Sequence, residues 1–116
     1  TFIDSPATLE QVNADFQAFV RGESSSYPDS AYEIMWDRTY GDLASGTNSG
    51  SACDQAAQVL KTFGATRMVM GHTVQKEGMN AVCNNTVWRA DVGMSAYYGG
   101  PIQVLEITES GATVLK

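Results

Sequence analysis

The sequence predicts a mixed α/β fold, of the α+β kind, with helices packed on one face of a mostly antiparallel sheet. Three observations lead there. Two segments before Gly64 carry apolar residues at helical spacing, and after Gly64 the apolar runs are short and bounded by turn residues. The composition, 43 % hydrophobic over 116 residues, suits one segment with a modest core rather than two domains.

Thr8 followed by Gln11 reads as a capping box, with Pro6 just before it. Leu9, Val12, Phe16, Phe19 and Val20 then share a helical face until Arg21 and Gly22 stop it. Glu23 to Ser30 is loop. Ala31 to Tyr40 reads equally as a short helix or an irregular apolar stretch, and Gly41 to Gly50 is a long, Gly/Ser/Asn-rich loop. Ser51 with Asp54 opens another helix, whose face carries Ala52, Ala56, Val59, Leu60 and Phe63 up to Gly64. Arg67 to Met70 is a short strand feeding Gly71-His72-Thr73. Met79 to Cys83 and Thr86 to Val92 form a hairpin about Asn84-Asn85, and Ile102 to Thr108 and Ala112 to Leu115 another across Glu109-Ser110-Gly111.

Seven Lys and Arg against thirteen Asp and Glu leave a net charge of -6, a poor field for holding nucleic acid. No apolar run is long enough for a membrane-spanning helix, and the N-terminus has no signal-peptide pattern. A soluble protein is expected, in the cytosol or a plastid rather than secreted. Cys53 and Cys83 make no CxxC pair and read as two reduced small hydrophobes, with a single bridge between them left open. Thr1 is not an initiator Met, so the chain reads as cut from something longer.

His72 is the only histidine. It stands where a strand gives way to a loop, and Gly71 is expected to supply the turn that aims its ring into a cleft. The run RMVMGHTVQ from Arg67, GMNAVCNNTVWRADVGMS from Gly78 and GGPIQVLEI from Gly99 resembles the C-terminal part of the calcineurin-like metallophosphoesterases, closest to the Shewanella-like protein phosphatases. IMWDRTYG from Ile34 is similar to a segment of the same family.

The resemblance implies the C-terminal half of a β-sandwich and a divalent metal pair (Mn, Fe or Zn). In the family, a metal-bridging hydroxide attacks a phosphomonoester. It implies His72 as the last metal ligand, Arg38 as a bidentate phosphate clamp, and Tyr97 and Tyr98 at the substrate mouth. Arg38 reads equally as a surface partner of Asp37 or Asp42, and the tyrosines as ordinary loop packing. Trp36 and Trp88 read as apolar mass.

The family's earlier metal motifs (D-x-H, G-D-x-x-D-R, G-N-H-E and H-G-G-I) are missing, and one histidine cannot complete a zinc-type cage. The expectation is therefore a segment of a phosphatase-type hydrolase, inactive alone. Its partner would be a missing N-terminal half or another chain, and the full enzyme would act on a phosphorylated substrate. The alternatives are a degenerate, non-catalytic subunit of a larger assembly and a small secreted binding module.

Overall fold

The computed structural model describes residues 4–116, so the chain start at Thr1 lies outside the described residues. Helix α1 (Pro6–Val20) is capped by Ser5, whose Oγ accepts the Thr8 N–H at 3.3 Å. Pro6 takes the first helical position, where no amide donor is needed. The cap therefore lies three residues before the Thr8–Gln11 box expected from sequence. The Thr8 hydroxyl turns back to Asp4 and Ser5, and Gln11 donates forward to Asp15. Val12 is buried, Leu9, Phe16 and Phe19 are half-buried, and Val20 is exposed.

The ambiguous stretch is helical: α2 (Asp29–Trp36) starts after Pro28 with Asp29 favourably placed in its first turn. The Tyr27 ring meets Phe16, Phe19 and Tyr32 edge-on at centroid distances of 5.6, 5.1 and 6.1 Å and so seats α2 on α1. Helix α3 (Ser51–Phe63) ends on Gly64, whose φ of 62° is the left-handed cap that glycine takes without a Cβ penalty.

Strands β1 (Met68–Met70), β2 (Asn80–Val82) and β3 (Val87–Arg89) form one sheet in the order β1-β3-β2. β2 and β3 are antiparallel, with Val82 opposite Val87. The turn between them has positive φ at both Asn84 and Asn85, closed by the Thr86 N–H on the Cys83 carbonyl. This is the hairpin expected from sequence. β1, however, lies parallel to β3, and β4 (Val104–Thr108) pairs only with β5 (Gly111–Leu115) as a separate hairpin. The expected single, mostly antiparallel layer is thus two small sheets, one of them mixed. Alternation marks a strand but not its neighbour, and β3 takes the inner position because both Val87 and Arg89 are buried there.

The core joins α3 to this sheet through Cys53, Ala56, Val82, Cys83 and Val87, with Tyr40, Leu43, Met68 and Met70 packed around them. Within it Cys53 and Cys83 form a disulfide, where the sequence favoured reduced thiols. The hairpin tip brings Cys83 to the buried face of α3, leaving the two Cα atoms 5.1 Å apart, well within bridging range. The two sheets are linked by Gln103, whose Oε1 accepts the Met79 N–H at 2.7 Å. Val104, Ile107 and Leu115 on the second hairpin stay exposed.

Candidate functional site

His72 follows β1 and is exposed. The turn expected of Gly71 is made by His72 itself, with φ of 66°, whereas Gly71 has no positive φ. A non-glycine residue in this region is uncommon, although histidine enters it more readily than most, and its backbone cost is on the order of 1 kcal/mol. Packing sets the conformation: the His72 ring stands edge-on to Trp36 at the end of α2, with centroids 4.6 Å apart. Together with Tyr27, Asp29, Tyr32 and Met35 the two rings line an open cleft of about 530 Å³.

Arg38 lies just past α2. Its Nη2 is 3.5 Å from His72 Nε2, so two residues 34 positions apart meet at the cleft edge. A guanidinium only donates, so Nε2 would have to be the acceptor in this contact. At that length the contact is at the limit of a hydrogen bond, and the guanidinium swings away from it at little cost. Arg38 makes no ion pair among the described residues. The surface pairing with Asp37 does not form because the Asp37 carboxylate accepts instead from the Thr39 N–H and hydroxyl, at 2.8 and 3.2 Å.

Tyr97 and Tyr98 lie in the loop after β3, edge-on to each other at 5.0 Å and largely exposed. They are not among the residues lining the His72 cleft. Their loop is closed locally, by the Gly100 N–H on the Gly93 carbonyl at 2.8 Å and by the Tyr98 and Gly99 amides on Ser95.

Beneath the Arg38–His72 pair lies a polar network that sequence reasoning missed. Arg89 is 1 % exposed, yet no carboxylate meets its guanidinium. Its Nη1 donates to the Tyr40, Gly41 and Leu43 carbonyls, at 3.4, 3.2 and 2.6 Å, and its Nε to Asn80 Oδ1 at 2.8 Å. Burial pulls the guanidinium pKa below its ordinary value, since nothing anionic repays the lost hydration. Asn80 Nδ2 donates to Gln75 Oε1 at 3.2 Å, and Gln75 Nε2 donates to the carbonyls of Gly41 and Thr73, at 3.2 and 3.1 Å. The one available signal was strand alternation, which puts Arg89 on the same inward face as Val87. The phenol of Tyr40 is pushed above its usual pKa by burial and by the Asp37 carboxylate.

Among the described residues, no group of three or more His, Cys, Asp or Glu side chains is placed to hold a metal ion. His72 supplies one imidazole nitrogen, short of the three or four donors a zinc-type site needs, so these residues do not by themselves fit a divalent metal pair. No described helix is long and apolar enough to cross a membrane.

No family model matches the chain, and no solved structure matches it. Over 117 residues it is 34 % identical to Shewanella-like protein phosphatase 2 of Arabidopsis thaliana, an alignment covering 92 % of this chain and 29 % of that protein. It is also 34 % identical over 76 residues to an uncharacterized protein of Schizosaccharomyces pombe, covering 66 % of this chain and 22 % of the relative. The chain thus spans less than a third of the length of either relative. By sequence it is a relative of a protein phosphatase along 92 % of its length.

Proposed function

We propose that this chain is the C-terminal segment of a calcineurin-like, metal-dependent phosphomonoesterase, and that it contributes His72 and Arg38 to the active site. The observation that carries the reading is the meeting, from two loops, of an exposed imidazole that lines a cleft and a guanidinium that makes no ion pair among the described residues. In this reading His72 offers a neutral ring nitrogen to a cation whose other donors lie outside these residues. Arg38 leaves its weak contact with Nε2 to take two phosphoryl oxygens. No step is derived through the metals, because the described residues do not form their cage.

The open build of the chain supports the same reading. Its radius of gyration is 15.3 Å, where a compact domain of this length has about 13 Å. It exposes 7736 Å², where a folded monomer of its mass exposes about 6,200 Å². The excess, about 1,500 Å², is what the remaining part of a sandwich would cover.

The test compares the 116 residues with the full-length natural chain on p-nitrophenyl phosphate in excess manganese. The short chain is expected to be inactive and the full chain active, with turnover abolished by His72→Ala. A full chain that binds no metal and turns over no phosphomonoester would leave a non-catalytic subunit as the better account. Turnover by the short chain that vanished with His72→Ala would overturn the claim that the site is completed from outside.

A further inference from the structure

We propose that Gln75 is a positioning residue that clamps the Arg38 loop to the His72 loop, its amide held in one orientation by Asn80 and Arg89. The inference rests on the phosphoesterase reading for its catalytic consequence, but its geometric content stands apart from it.

The two loops come from distant parts of the chain and meet at the cleft. Among the described residues, Gln75 alone donates from a single amide to both, to Gly41 on one side and Thr73 on the other. An amide has two faces of opposite character, and a flipped Gln75 would point its oxygen at two carbonyl oxygens. Asn80 opposes the flip: its Nδ2 donates to the Gly78 carbonyl at 3.0 Å and to Gln75 Oε1 at 3.2 Å, so a reversed Gln75 would set donor against donor. Asn80 is set in turn by Arg89, which only donates and therefore claims Asn80 Oδ1. The orientation of both amides thus follows from one buried cation together with the Gly78 carbonyl. Arg89 closes the circuit by donating to the Gly41 carbonyl that Gln75 also serves. The Gln75 backbone is anchored independently, its N–H on the Asp91 carbonyl at 2.7 Å, so the side chain is held to a fixed frame.

Arg89 is a poor residue to test, since removing it takes a donor from three carbonyls, Leu43's shortest bond among them, and endangers the fold. Gln75→Met keeps the length of the side chain and removes the clamp, while Asn80 Nδ2 keeps the Gly78 carbonyl as an acceptor. Asn80→Asp keeps the acceptor for Arg89 and sets an oxygen against Gln75 Oε1 and the Gly78 carbonyl, which favours the reversed Gln75 amide. Both variants are made in the full-length chain, and amide spectral dispersion establishes that each is folded.

The geometric readout is the ring-current displacement of the His72 ring protons by Trp36, which depends on the 4.6 Å edge-on contact. The clamp account expects that displacement to shrink in both variants. It expects kcat on p-nitrophenyl phosphate to fall about ten- to a hundredfold, the loss that follows a misplacement of about 1 Å. KM should change little, since Arg38 keeps its loop bonds to Arg89. A folded Gln75→Met with native His72 shifts and native kcat would overturn the proposal. If the unaltered full chain shows no turnover, the phosphoesterase reading fails, and the ring shifts alone decide whether Gln75 is a clamp.

Discussion

Gly41 has no room for a side chain because Thr73 stands against it: a Cβ built there would lie 2.3 Å from Thr73 Oγ1. The approach is close enough to bring the loops carrying Arg38 and His72 together, and any side chain at position 41 wedges them apart.

Gly41→Ala is therefore expected to destabilise the fold by about 1–3 kcal/mol, the usual cost of overpacking. Urea unfolding measures it. A Gly41→Ala variant as stable as the parent would mean that the two loops yield freely and that their contact is loose in solution.

Thr73 Oγ1 is buried with no hydrogen-bond partner among the described residues. A hydroxyl in that state loses its hydration for nothing, so Thr73→Val, which keeps the shape and drops the polar atom, should stabilise by about 1 kcal/mol. In a chain of this size that is a rise of about 4 °C in Tm. A fall in Tm would show that the hydroxyl has a bound water as its partner.

The Cys53–Cys83 bridge closes a loop across 30 positions of sequence. On the chain-entropy account, removing it with Cys53→Ala and Cys83→Ala costs about 3–4 kcal/mol, plus whatever packing the two buried sulfurs provide. Thermal melts of the parent with and without reductant should show the same drop. Melts unaffected by reductant would mean that the bridge contributes nothing to stability.

Tyr40 sets an alkaline limit. Its phenol is pushed above 10.0 in the fold by burial and by Asp37, so the folded state holds its proton more tightly than the unfolded chain. The resulting stabilisation is fully present below the unfolded pKa and is lost as pH rises through the folded one. Stability should therefore decline above about pH 10, and Tyr40→Phe should flatten that decline without changing the neutral melt. An identical alkaline profile in Tyr40→Phe would assign the decline to other groups.

Local chemistry made much of the fold legible. Apolar spacing located α1 and α3 within a few residues, Gly64 marked a helix end by its tolerance of positive φ, and Asn84-Asn85 marked the hairpin turn. The α1 cap was misplaced because Ser5-Pro6 and Thr8-Gln11 are competing start signals, and only the chain entering the helix decides between them. The resemblance to the phosphatases singled out His72 and Arg38, and the structure brings them together. Tyr97 and Tyr98, picked in the same way, lie away from that cleft.

What the sequence by itself determined were the features that depend on neighbours along the chain: helix spacing, turn residues, charge balance and the motifs that resemble a phosphatase. Tertiary structure alone decided the parallel pairing of β1 with β3, the disulfide, and the amide circuit under the Arg38–His72 contact. The strand pairing joins residues 19 positions apart, the disulfide 30 and the Arg38–His72 contact 34, and the circuit turns on which way each buried polar group faces. Such partners are chosen by burial, which forces every inward donor and acceptor to find a match wherever the fold supplies one.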